Sequence, residues 1–564
     1  MSRYIVTVET VKIKDFLFST NKLRIIRGAS YLLDYLNQVV VPEILKSNGV
    51  KGEDIIYVGA GNAKFFVDDE DTAKNIAKEV KRVYKKEAPN SKVVVSYIET
   101  EYRVGKDNSK NKRKIWEDID KLAQNTAVEK SKGFPMMNLD FIGVEKCEIC
   151  GKNSAQISVE NLERDLEDIG LIVKDGEVIL DNYLLRIPAL REQIKDLTGT
   201  TGDNKGIICE ECLRKLIFSN RVKDTESEKK ISFYNYVKDE FKDIELGTEI
   251  SDYENGKSFI GFMYSDGDGL GDFLKNISQK FKNDKSSSNV EEKYLEFLKE
   301  FSETLDKNTK EALIDTIKDI FQGKENKRII GEFLIVGGDD VCAVFNPELV
   351  LELSEKFQKI FEEKMKKYIS KTKANDSKIT SSSGVIIAKS KTPAFQLFDQ
   401  ALKLQKLAKA KRYEHNAQTG FIDFQVIGSE GCVDIDAFRK KIDFENNRVM
   451  ERAYAINIEG NSKVKNVEKL FETIKELKKI KFPKNKLRYI YELKRDEKLE
   501  DFEKKMEFIN ILSKMKDEHI KFIKENYNID YDYQEFERYF NNIFDIVELY
   551  DFVGGEVDEN QLHS

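Results

Sequence analysis

Residues 333–345 read Phe-Leu-Ile-Val-Gly-Gly-Asp-Asp-Val-Cys-Ala-Val-Phe, two apolar runs of strand length broken only by Gly337, Gly338, Asp339 and Asp340. Gly and Asp favour turns for local backbone reasons, so the segment folds back as a hairpin whose arms suit a covered sheet. Residues 55–67, Ile-Ile-Tyr-Val-Gly-Ala-Gly-Asn-Ala-Lys-Phe-Phe-Val, have the same form. Each hairpin is preceded by a strand, Tyr4 to Glu9 in one case and Phe259 to Ser265 in the other, and then by a helical stretch. Asp15-Phe16-Leu17 recurs as Asp272-Phe273-Leu274, which sets Glu9 opposite Asp266. The hairpins then set Gly59-Ala60-Gly61-Asn62 opposite Gly337-Gly338-Asp339-Asp340. Both stretches run strand, helix, hairpin, helix, strand, a duplicated unit in which only the second copy keeps its acids.

The rest of the chain fits around these units. Helices are expected near 25–40 and 71–86 and a strand near 92–98. In the second unit, helices are expected to about 322, near 348–370 and over 393–412, with strands near 379–388 and 420–427. Thr392 and Pro393 mark the start of the third of those helices as cap and first residue. A serine-containing break over 283–289 reads as a loop, and from about 436 the sequence is charged and helical throughout. A chain of 564 residues exceeds one core, and the expected limits are 1–105, 106–245, 246–435 and 436–564.

Composition excludes several classes. Charged residues at 35% beside 40% apolar ones mark a globular chain, not a disordered one. The start lacks a signal-peptide apolar run, and no stretch reaches the roughly 18 apolar residues of a membrane helix, so a cytoplasmic location is expected. A net charge of −7 argues against gripping nucleic acid over most of the surface. The basic cluster at 110–114 is read as solvated loop, with a local nucleic-acid groove as the alternative. Of six cysteines, four form C-x-x-C pairs, while Cys342 and Cys432 read as small buried hydrophobes.

Asp266 ends an apolar strand just before Gly267-Asp268-Gly269-Leu270-Gly271, while Asp339 and Asp340 sit at a hairpin tip. Neighbouring strands would bring the three carboxylates to one sheet edge. Hard oxygen ligands of this kind suit two Mg²⁺ or Mn²⁺ ions held jointly with a substrate's phosphates. Such chemistry needs no histidine, and the three present lie in no motif. Gly337 and Gly338 would admit a nucleotide to the backbone, and Gly267 and Gly269 would expose N–H groups to a triphosphate. Lys409 or Lys411 would add positive charge. Singly, each motif has a structural explanation. Gly-Gly-Asp-Asp is an acceptable turn, and Asp-Gly-Asp-Gly resembles part of a calcium loop, although that loop's closing glutamate is missing and Ser278 stands nearby. Together, and in this order, they point to a metal-dependent nucleotide polymerase or cyclase acting on ATP-like substrates.

Cys147-Glu-Ile-Cys150 and Cys209-Glu-Glu-Cys212 match the two knuckles of a closed zinc site, which would pin an insertion between the two units. A catalytic dithiol would need only one pair.

These residues resemble the large palm-domain subunit of type III CRISPR–Cas effector complexes. The resemblance rests on Ile13 to Thr20 and Arg27 to Leu33, on the four-cysteine insertion, and on Asp266-Gly267-Asp268 followed by Gly337 to Asp340. Ser383 to Ala388, Lys391, Pro393 and Ala408-Lys409 extend it. It implies an α+β multidomain chain: two ferredoxin-like palm/nucleotide-cyclase domains, the first degenerate, a zinc-ribbon insertion and a C-terminal helical domain. It implies cyclic oligoadenylate synthesis from ATP, switched on when the complex's guide RNA pairs with target RNA, with Ser383 near the adenine. Partners would be the other effector subunits and both RNAs. The family's HD nuclease motif is not found, since His415, His519 and His563 are followed by Asn416, Ile520 and Ser564, so no DNase activity is expected from these residues. A stand-alone cyclase making a cyclic dinucleotide or short oligonucleotide, and an inactive scaffold, are the alternatives.

Overall fold

A computed structural model of the chain describes residues 3–59, 61–106, 108, 111–132, 145–180, 183–199, 205–222, 231–241, 247, 249–284, 289–321, 331–372, 374, 377–414, 419–428, 434–442, 448–457, 465–527 and 539–554. Cys432, His415, His563 and most of the 283–289 break lie outside them.

The first sheet holds β1 (Arg3–Val11), β2 (Ile55–Gly59), β3 (Asn62–Val67) and β4 (Lys92–Thr100), in the order β2-β3-β1-β4 with every neighbour antiparallel. Helices Leu23–Tyr35 and Glu70–Glu87 belong to this unit, the second capped where Thr72 N–H donates to Asp69 Oδ1 at 2.7 Å. The cysteine-bearing segment follows. It contains β5 (Ile157–Ser158) paired with β9 (Ile207–Ile208), and a small sheet of β6 (Ile172–Lys174), β7 (Glu177–Leu180) and β8 (Tyr183–Arg186).

The second sheet holds β10 (Phe259–Asp268), β11 (Gly331–Gly337), β12 (Asp340–Phe345), β13 (Thr380–Lys389), β14 (Phe421–Ile427) and β15 (Tyr454–Ala455). Its order is β11-β12-β10-β13-β14-β15, so the first four strands repeat the topology of the first sheet. β14 adds parallel to β13, and β15 adds antiparallel to β14. The tail is therefore not wholly helical. Tyr454 and Ala455 return to the sheet before helices Val467–Lys479, Lys484–Arg495, Asp501–Ser513, Asp517–Tyr527 and Ile543–Leu549. Buried Arg452 fastens the last of these by bonding Asp545 at 2.7 Å and pairing with Glu548.

Two apolar clusters each draw on both units. Phe18 of the first unit packs on Phe262 and Phe398 of the second, with ring centroids 6.0 and 4.9 Å apart. Beside them, buried Arg27 donates to both oxygens of Glu332, at 2.6 and 2.8 Å. The helix over Ala394–Glu414 is capped across this seam. Ala394 N–H donates to Asn21 Oδ1 at 2.9 Å, whereas the hydroxyl of Thr392, the expected cap, is buried without a hydrogen-bond partner. Local sequence offered Thr392; tertiary packing supplied Asn21. Among the described residues no helix is long and apolar enough to cross a membrane. In the 110–114 cluster, Arg113 pairs with Asp118 at 3.2 Å and Lys114 with Glu291 at 3.0 Å.

Candidate active site at the second hairpin

Strand pairing brings the predicted carboxylates together. Ser265 of β10 faces Val341 of β12, so Asp266 lies beside Asp340, one step further along both strands. Gly337 pairs with Asp340, leaving Gly338 and Asp339 as a two-residue turn. Gly338 has a φ of +63°, a left-handed conformation that glycine adopts without a Cβ penalty. The turn folds over Gly267, where an added Cβ would lie 2.6 Å from Asp339 Oδ2. Gly269 precedes the helix Leu270–Asn283 with φ +79°, and a Cβ there would meet Lys378 O at 2.5 Å.

The site carries excess negative charge. Burial, then the charge of Asp266, pushes Asp339 up to about 6, against a lowering by Lys409 and the Gly267 N–H. Burial, then Asp339, pushes Asp340 up to about 7. Lys409 Nζ donates to Asp266 Oδ2 at 2.7 Å and to Gly267 O at 2.8 Å. Burial alone would lower the pKa of Lys409, but Asp266 and Asp268 raise it on balance. Asp268 is fully buried, accepts from Ser382 Oγ at 2.5 Å and lies 3.5 Å from Lys409. Its position makes it an anchor beneath Lys409.

Three neighbours escaped the sequence reading. Gln405 Nε2 donates to Asp266 Oδ2 at 3.2 Å, Arg412 Nε lies 3.9 Å from Asp268 Oδ2, and Tyr264 donates to Asp340 Oδ1 at 2.6 Å. Gln405, Lys409 and Arg412 recur at helical spacing on one face, a signal that periodicity alone could have given. Gly384 sets that face against the sheet, because a Cβ there would overlap Ala401 O and Gln405 N. Lys411 lies off this face, near Glu451. Ser383 is fully buried and donates to Ser265 Oγ at 2.9 Å, so its hydroxyl is spent inside the sheet.

In the first unit Glu9 faces Asn62, the counterpart of Asp340, and pairs with Lys130. Gly61 (φ +77°) stands at the turn, while Lys12 (φ +54°) occupies the position of Gly269. One neutralised carboxylate is a poor cation site. Ala60 lies outside the described residues.

The sulfurs of Cys147, Cys150, Cys209 and Cys212 all lie within 4.8 Å of one another. Tetrahedral zinc–thiolate bonds of about 2.3 Å need sulfurs about 3.8 Å apart, so the four fit such an ion. Gly151 N–H donates to Cys147 O at 2.8 Å, forming one knuckle, and Cys209 begins the helix Glu210–Arg221. On that helix Lys215 is completely buried. It donates to Phe16 O at 2.6 Å and Ser19 Oγ at 2.9 Å and pairs with Glu211, which accepts from Asn153 at 2.9 Å and Asn90 at 2.7 Å. These ties run from the cysteine cluster to the first unit. Cys342, also fully buried, is a core residue of β12.

Fold and site together define a tandem-palm protein with one acidic and one degenerate hairpin. Residues 259–418 match the family model for the second palm domain of Cas10/Cmr2, and residues 4–146 that for domain B of the Csm1 subunit. The chain is a Cas10/Csm1-like subunit of the type III CRISPR class. Solved Csm1–Csm4 cassettes share the fold. The apo cassette is 15% identical with a TM-score of 0.54, over 100% of this chain and 70% of that one. The cassette with pppApA is 13% identical with a TM-score of 0.51, over 97% and 69%. The cassette with cA3 is 12% identical with a TM-score of 0.52, over 97% and 70%. Comparison with curated proteins gave no match.

Proposed function

We propose that the chain is a metal-dependent nucleotidyltransferase that makes cyclic oligoadenylates from ATP, working as the target-RNA-activated subunit of an RNA-guided defence complex. The observation that carries this reading is the meeting of Asp266, Asp339 and Asp340 at one sheet edge, beside Lys409. Two of these carboxyls are held above their ordinary range by burial and mutual repulsion, a state that a divalent cation relieves. Support also comes from related cassettes described with pppApA, pppApApA and cA3, and from their assembly with Csm4.

Asp266, Asp339 and Asp340 would hold Mg²⁺ or Mn²⁺. Such ions would supply activation of a 3′-hydroxyl and neutralisation of the leaving pyrophosphate. Lys409, within reach of both Asp266 and Asp268, would turn its ammonium to the triphosphate while Asp268 keeps it aligned. Gly337 and Gly338 would let phosphates approach the hairpin, whereas Gly267 and Gly269 are closed over by Asp339 and by Lys378 O. The four cysteines would hold a structural Zn²⁺ that fixes the insertion.

The test is incubation of the chain with ATP and Mg²⁺ or Mn²⁺, alone and with partner subunits plus target RNA, with products identified by mass spectrometry. Cyclic oligoadenylate formed only with the RNA-bound complex is the expected result. Synthesis by the isolated chain indicates a stand-alone enzyme, and silence in both arms rejects catalysis. Asp339→Ala with Asp340→Ala is expected to abolish product while leaving the fold intact.

A further inference from the structure

Tyr264 takes no part in the chemistry proposed above, yet it touches one of the residues that does. It stands on β10 opposite Cys342 of β12, and its phenol donates diagonally to Asp340 Oδ1 at 2.6 Å. The half-buried hydroxyl has taken an oxygen of the hairpin's second acid as its acceptor.

The ring is fixed from behind. Tyr264 packs on Phe398 with centroids 5.1 Å apart, and Phe398 packs on Phe18 at 4.9 Å. Phe18 belongs to the first unit, and that unit holds Phe398 in two further ways. Lys14 lies 5.7 Å over its ring and pairs with neighbouring Asp399, and Asn21 caps the helix on which Phe398 sits. A continuous path of contacts thus joins Phe18, Phe398, Tyr264 and Asp340.

We infer that Tyr264 is a positioning residue that holds one oxygen of Asp340 so that the other is presented to a divalent ion, and that Phe398 and Phe18 make this orientation depend on how the first unit is seated. The inference rests on the reading of Asp340 as a metal ligand. Carboxylates that bind metals are commonly oriented by an outer hydrogen bond, and its loss weakens metal affinity about 10- to 100-fold. Asp339 and Asp340 repel each other at the hairpin tip, and an unrestrained Asp340 would rotate away from its neighbour. The phenol prevents that rotation.

The test is Mn²⁺ binding to the full chain, read by loss of the free-ion electron paramagnetic resonance signal, with thermal unfolding measured in parallel. Tyr264→Phe keeps the ring stack and removes the donor. Its Mn²⁺ affinity is expected to fall about 10-fold with an unchanged unfolding temperature. Phe398→Leu keeps the donor and loosens its support, so its affinity is expected between the two. Wild-type affinity in Tyr264→Phe overturns the inference. So does a loss that tracks a falling unfolding temperature in both variants, which would mark general loosening. Asp340→Asn is the control for the underlying reading: should it bind Mn²⁺ as tightly as wild type, the assignment of the metal site fails as well, whatever Tyr264→Phe does.

Discussion

Lys409 Nζ lies 2.7 Å from Asp266 Oδ2 and 3.5 Å from Asp268 Oδ1, and so joins a partly exposed acid of the site to a fully buried one. The ammonium serves as internal counterion for a carboxylate cluster that would otherwise repel itself. A cation held by the cluster would take over that role and leave the ammonium available to an anion.

Lys409→Met tests this exchange. Without added divalent ions the variant is expected to unfold at a lower temperature than wild type, and saturating Mn²⁺ should close most of the gap. With ATP, kcat/KM is expected to fall roughly 100-fold, about 2.7 kcal/mol of lost stabilisation. Equal unfolding temperatures with and without Mn²⁺ would contradict the counterion role.

The pH dependence follows from two raised carboxyls. Asp339 and Asp340 rise from 3.8 to about 6 and about 7 in the folded chain. Between pH 4 and 7 the native state therefore holds protons that the unfolded chain has released, and metal-free stability falls as pH rises through that window. Asp340→Asn, neutral at every pH, is expected to unfold at a higher temperature than wild type at pH 8 and to converge with it near pH 4. Protons also compete with the metal, so Mn²⁺ affinity of the wild type should weaken as pH falls from 7 to 6. A flat comparison across this range would contradict the burial argument.

For the cysteine cluster, Cys209→Ser with Cys212→Ser is expected to remove about one equivalent of zinc, measured by elemental analysis, and to lower the unfolding temperature by roughly 6 °C. Because Glu211 and Lys215 tie this helix to Phe16, Ser19 and Asn90, hydrogen exchange should quicken around those residues too. Unchanged zinc content would refute the assignment.

The seam between the units rests on Arg27 and Glu332, each about 5% exposed. Arg27→Leu leaves a buried, unpaired carboxylate and is expected to cost about 3–5 kcal/mol in chemical denaturation. A loss below about 1 kcal/mol would mean that water reaches the pair.

Much of this was legible in the sequence because it is local. Apolar strands around Gly-Gly-Asp-Asp specify a hairpin, and the echo of Asp272-Phe273-Leu274 at Asp15-Phe16-Leu17 fixes the alignment of two sheets with matching strand order. What escaped is non-local. Asn21 caps a helix some 370 residues away, and nothing near Thr392 announces that its own hydroxyl will go unused. Tyr454 and Ala455 reach the sheet from a stretch that reads as helical because a two-residue strand carries no periodicity. Tyr264 reads as one more apolar strand residue until the cross-strand register sets it beside Asp340. Ser383 was placed near a ligand by resemblance alone; the register sets it against Ser265 inside the sheet.

The most direct test is anomalous scattering from crystals grown with Mn²⁺ and a non-hydrolysable ATP analogue. Two peaks about 4 Å apart, ligated by Asp266, Asp339 and Asp340, are expected. Manganese bound elsewhere, or an analogue whose phosphates lie away from Gly337, Gly338 and Lys409, would contradict the proposed site.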